Sequence, residues 1–237
     1  MFFYKNYKVI KILTPHCYER MIEEKGRMMG DKLDTREKIL AAAKLEFLQH
    51  GFEKASMRII CKKANVTTGA AYFFFRDKDD IFYQLVSDKA EELLNRIIVT
   101  ESENEKIREN DEIPIESASD IDASKIKDIM KYMYDNIEIF ILLFCKSIGS
   151  SMENFYDSMI EIVENLSRKY IMNKRDTGEI SVYFDENTYH NLVSLEISSI
   201  IEPIRHQLPR EEALKQVDAI AKFFYGGWNE LMHFKKK

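Results

Sequence analysis

Between Ser56 and Lys78 the chain reads SMRIICKKANVTTGAAYFFFRDK, and this stretch constrains the fold more than any other. Ser56 can cap a short helix that turns Ile59, Ile60 and Ala64 inward. Asn65 then takes a tight turn, because a short polar side chain tolerates positive φ better than most non-glycine residues. Val66 fills the space between helices, and Thr67 or Thr68 caps a further helix running through Tyr72 to about Phe75. Such a layout is a helix-turn-helix, whose second helix fits a DNA major groove. Charge follows the same boundary. From Lys54 to Arg76 the cations are Lys54, Arg58, Lys62, Lys63 and Arg76 with no carboxylate among them, whereas Glu101 to Asp122 is dense in Asp and Glu. The whole chain is acidic, with net charge -5, so a basic module on an acidic body is expected rather than a surface that binds nucleic acid everywhere.

The flanks read as helices too. Asp34 and Glu37 form an N-terminal capping pair, after which Ile39, Leu40, Ala43 and Phe47 share one face, and His50-Gly51 ends the helix in a left-handed stop. From Lys78 to about Ile98 apolar residues repeat at three and four (Ile81, Phe82, Leu85, Val86, Leu93, Leu94, Ile97), giving a lever about 30 Å long. The acidic segment Thr100 to Asp122 carries Pro114 and little periodicity, and predicts a long exposed loop. Beyond Ala123, helices are expected over Lys125 to Asn136, Ile137 to Ile148, Met152 to Asn173 and Asn187 to Gln207. A last one opens at Pro209-Arg210-Glu211 and ends near His233. Residues 1–33 lack sustained periodicity and read either as a mobile arm or as a start placed too early, since Glu23 to Arg27 is what a purine-rich ribosome-binding sequence would encode.

Few glycines (8) and prolines (4) beside 45% apolar residues favour an all-α fold with a buried core. Cys17, Cys61 and Cys145 are odd in number and far apart, which suggests neither disulfides nor zinc and fits a cytoplasmic protein. No apolar run reaches the roughly 20 residues of a membrane span. Catalysis is not expected. Glu186/His190 and Glu202/His206 each have helical ligand spacing, but the pairs are rotated by roughly 160° on one straight helix and cannot share a metal. No glycine-rich phosphate loop or nucleophile context accompanies them, so neither cofactor nor metal is expected.

Phe47, Gly51-Phe52, Ser56, Ile60, Ala64, Val66, Gly69, Tyr72, Phe75 and Lys78 together resemble the N-terminal signature of tetracycline-repressor (TetR) type regulators, over Thr35 to Val86. That resemblance implies that Thr67, Thr68, Gly69 and Ala70 face base edges, with Ala70 able to pack on a thymine methyl. It implies that Arg58 reaches a base, where a bidentate contact to guanine would supply roughly 1–3 kcal/mol of discrimination. Ser56, Tyr72 and Lys78 would hold phosphates. The sequence departs from the family at Asn65, where glycine is usual, at Ala71, where a larger aliphatic is common, and in the run Phe73-Phe74-Phe75. For Phe73 two placements stay open: on a sugar or base, or closing the core.

In the body, Tyr132, Phe144, Phe155, Tyr156, Met159 and Tyr189 are candidates for an effector pocket, because aromatic and Met side chains line apolar ligand sites. Ordinary helix packing uses the same residues. Apolar surface on the last two long helices could form a dimer interface. The expected molecule therefore has an extension (1–33), a three-helix DNA-binding module (34–80) and, joined through the long helix, a larger helical effector-binding and dimerisation domain (81–237). Its expected partners are double-stranded operator DNA, a second copy of the chain and a small apolar or amphipathic effector. A nucleoid-bound interaction factor of the same fold, needing no inducer, is the alternative.

Overall fold

The computed structural model describes residues 15–108, 115–181 and 184–232. Among them nine helices are laid out as α1 (Pro15–Lys54), α2 (Met57–Lys63), α3 (Thr68–Phe74), α4 (Lys78–Arg108), α5 (Ile115–Asp135), α6 (Ile137–Cys145), α7 (Phe155–Asp176), α8 (Glu186–Arg205) and α9 (Arg210–Met232). The fold is all-α, and no helix of the described residues is long and apolar enough to cross a membrane.

Periodicity and burial agree through the first half. Ile39, Phe47, Ile60, Ile81, Phe82 and Phe75 are all at most 1% exposed. Phe47, Phe52 and Phe82 form the centre of the module, with ring centroids 5.2–5.8 Å apart and two of the three contacts edge-on. In the second half α5 packs along α9. Met130, Met133, Phe140, Leu142, Leu143, Ile204 and Val217 are buried in the core of this half.

Four local expectations are corrected. The first helix starts at Pro15, not Asp34; preceding helical turns supply acceptors for the amides a cap would serve, and Asp34 instead pairs with Lys38 one turn on. Residues 1–14, the rest of the expected arm, lie outside the described residues. The expected loop over Thr100 to Asp122 is largely helical. α4 continues to Arg108 and α5 begins at Ile115, while Pro114 falls in 109–114, outside the described residues. Glu, Lys, Ala and Ser have enough helix propensity to form helix without an apolar stripe, and Glu103 there pairs with Lys125 at 3.1 Å, tying α4 to α5. Ile59 is 42% exposed, because seven-residue α2 buries only the face carrying Ile60 and Cys61. The fourth correction, at Ser56, belongs to the interface.

Gly51 breaks α1 near its end at φ 75°, ψ 166°, a conformation open to glycine alone. The break exposes the Phe52 amide, which donates to the Lys146 carbonyl at 2.8 Å, and the Ser151 amide donates to Asp79 Oδ1 at 2.8 Å. Together with the Lys44–Glu138 ion pair, these bonds strap the α6–α7 segment of the body to the N-terminal module.

Candidate nucleic-acid interface

The position of α3 is set by its turn. Asn65 adopts φ 55°, the Val66 amide returns to the Cys61 carbonyl at 3.0 Å, and Thr67 Oγ1 accepts from the Ala70 amide at 3.1 Å. Thr67 is thus the cap of α3, and Thr68 is left exposed in its first turn. The Thr67 hydroxyl hydrogen remains available to an outside acceptor.

Ser56 occupies the N-cap position of α2 but its side chain makes no capping bond. Its amide donates instead to Glu46 Oε1 at 3.4 Å, and Lys63 Nζ donates to Glu46 Oε2 at 2.8 Å. Glu46 is only 1% exposed and so joins α1 to both ends of α2. Burial pushes its carboxyl up, but the bonds from Lys63 and Ser56 and the charges of Lys63 and His50 outweigh this and hold it below the ordinary Glu value. The pattern held a signal for this residue: Glu46 follows Ile39 by seven positions and Ala42 by four, on the buried face of α1.

Thr67, Thr68, Gly69, Tyr72 and Phe73 are exposed, Ala70 is half-buried and Ala71 fully buried, so α3 offers one continuous outer face. A Cβ added to Gly69 would meet nothing within 4 Å. Phe73 is 70% exposed, with its ring edge-on to Phe74 at 5.2 Å; Phe75 closes the core instead. Arg58 is exposed on α2. Lys78 is engaged internally: its ammonium donates to the carbonyl oxygens of Phe52, Glu53 and Ala55.

All six candidate effector residues belong to the hydrophobic core or pack against it. Tyr132, Phe144, Phe155 and Tyr156 join through Phe140 in a chain of ring contacts 5.7–6.4 Å between centroids, and Met159 is buried on α7. Tyr189 stacks instead on Phe184 beside Trp228, and bonds Ser167 at 2.6 Å. Ser167 lies eleven residues beyond Tyr156 on α7, about 16 Å along the helix. Burial pushes the Tyr189 phenol up to about 12, against the Ser167 bond and the charge of Arg168. Both histidines of the candidate metal pairs have carboxylate partners, His190 with Glu164 and His206 with Glu202, each at 2.9 Å. Among the described residues no three His, Cys, Asp or Glu side chains are grouped to hold a metal.

Residues 39–85 match the family described as bacterial regulatory proteins, tetR family. The repressor BepR of Brucella suis is 42% identical over 60 residues, which span 25% of this chain and 29% of BepR. The match thus covers under a third of that relative. The uncharacterized HTH-type regulator YdgC of Bacillus subtilis is 24% identical over 166 residues, 61% of this chain and 85% of YdgC. FadR from Bacillus subtilis, solved in complex with stearoyl-CoA, shares the fold with a TM-score of 0.52 at 16% identity, over 81% of this chain and 98% of FadR.

Proposed function

We propose that this chain, a member of the TetR family of transcriptional regulators, acts in the cytoplasm as an effector-responsive repressor that binds a palindromic operator as a homodimer. One observation carries the reading most: the outer face of α3 is exposed at Thr67, Thr68, Gly69, Tyr72 and Phe73, and the missing Cβ of Gly69 leaves open space. Thr67, Thr68, Gly69 and Ala70 read bases, Arg58 reaches a further base from α2, Phe73 lies against a sugar or a thymine methyl, and Ser56 and Tyr72 position the backbone.

Dimerisation uses α8 and α9, where Leu195 and Phe223 are 55% and 72% exposed although each is large and apolar. The effector is small and apolar or amphipathic. Support comes from the aromatic chain Tyr132 to Tyr156 in this body and from the stearoyl-CoA held by FadR. Its binding shifts α4 and the α6–α7 strap, which changes the spacing of the two α3 helices. A coupling free energy of about 1–3 kcal/mol suffices for such a switch.

The test is Arg58→Ala in the full chain, measured by fluorescence anisotropy against a selected operator duplex and a scrambled duplex at one salt concentration. Operator affinity is expected to fall by about 1–3 kcal/mol with much less loss on the scrambled duplex. Equal losses on both would remove Arg58 from base readout.

A further inference from the structure

Two cations stand two residues apart where α3 passes into α4, and their surroundings are opposite. An ammonium has three hydrogens, and those of Lys78 are directed at three carbonyl oxygens, Phe52 at 2.7 Å and Glu53 and Ala55 at 3.2 Å. The same Nζ lies 4.4 Å from the centre of the Phe52 ring. These carbonyls belong to the corner where α1 ends beyond Gly51, and helix-terminal carbonyls have no partner within the helix. Lys78 therefore closes a corner of the protein, and a phosphate would have to draw it out of those bonds.

Arg76 is arranged the other way round. Its backbone is fixed: its amide donates to Asp80 Oδ2 at 2.9 Å, the Asp80 amide donates to Asp77 Oδ1 at 2.8 Å, and Gln84 donates to Asp80 Oδ1 at 2.8 Å. Its side chain is 85% exposed, and Nε is 3.8 Å from Asp80 Oδ2, too long for a hydrogen bond. Asp80 is turned inward, 14% exposed, and the third nearby carboxylate, Asp79, accepts the Ser151 amide. A guanidinium with free donors is thus carried on a rigid turn two residues past the end of the reading helix, four residues beyond exposed Tyr72. Its planar fork matches two phosphate oxygens better than an ammonium does.

We infer that Arg76, and not Lys78, is the phosphate anchor at the end of the reading helix, and that Lys78 is a clip that holds the α1 corner against α4. This rests on the DNA-binding reading above. Neutralising one phosphate contributes about 0.9 to the slope of log affinity against log salt. The experiment measures that slope for the full chain on a fluorescently labelled duplex of mixed sequence, alongside thermal unfolding, for wild type, Arg76→Gln, Arg76→Lys and Lys78→Gln. Arg76→Gln is expected to make the slope shallower by about one with an unchanged unfolding midpoint, and Arg76→Lys to restore the slope. Lys78→Gln is expected to lower the unfolding midpoint while the folded protein keeps the wild-type slope. A wild-type slope in Arg76→Gln overturns the inference, as does a slope shallower by one in folded Lys78→Gln. Should Lys78→Gln not fold, the two Arg76 variants decide alone. Wild-type protein with no salt-dependent affinity for the duplex would instead overturn the DNA-binding reading itself.

Discussion

Glycine inside a helix is less stable than alanine by about 0.5–1 kcal/mol, and nothing in the fold asks for it at position 69, where a Cβ would meet no atom within 4 Å. Gly69→Ala should therefore raise stability by up to about 1 kcal/mol while weakening operator binding, because the methyl group would stand between α3 and the bases. Chemical unfolding and operator titration measure the two effects, and a stabilised variant with undiminished affinity would take Gly69 out of the interface. Glu46 gives a dependence on pH. Its carboxyl is held below the ordinary value of 4.5, so the stability it adds is fully present above pH 4.5 and is lost as pH falls through the lower folded value. Glu46→Gln should cost about 1–2 kcal/mol at neutral pH, discounted for the 37% exposure of Lys63, and nothing once both proteins are in acid. A pH-independent difference in urea unfolding between the two proteins would contradict this. The turn at Asn65 and the buried Ile60, Ala64 and Phe47 were legible because spacing alone fixes them. The bonds of Glu46 and Lys78 were not: Lys78 reaches carbonyl oxygens 23 to 26 residues away, and backbone acceptors leave no mark in a sequence.

At the scale of elements, apolar periodicity located the helices whose sequence carries an apolar stripe and missed the helical stretches whose sequence carries none. α4 was legible through Ile81 to Ile97, where one face is buried, and illegible from Thr100 onward, where the sequence carries no apolar stripe. Contacts between elements were beyond the sequence altogether, and the strap between α6–α7 and the module is the one on which the proposed effector response depends. Asp79→Ala removes the acceptor of the Ser151 amide. The expected result is a loss of about 1 kcal/mol in unfolding free energy and a smaller effector-induced change in DNA affinity. An unaltered effector response with the bond removed would place the coupling elsewhere.

For the whole molecule, distribution of charge matters more than its sum. A chain of net charge -5 cannot hold DNA against its body, but Lys54, Arg58, Lys62 and Arg76 are all exposed in the module that carries α3. Affinity from those cations alone would be indifferent to sequence. On the proposed function, selectivity comes from the outer face of α3 and from pairing two such faces through α8 and α9. The most direct measurement is selection of duplexes from a random-sequence pool by the full chain, at a salt concentration that suppresses nonspecific binding. The account predicts enrichment of an inverted repeat with half-site centres about one helical turn, or a multiple of it, apart, and loss of that enrichment when Thr68 and Arg58 are both replaced by Ala. A pool that emerges with no enriched sequence, or with the same repeat selected by the double variant, would contradict it.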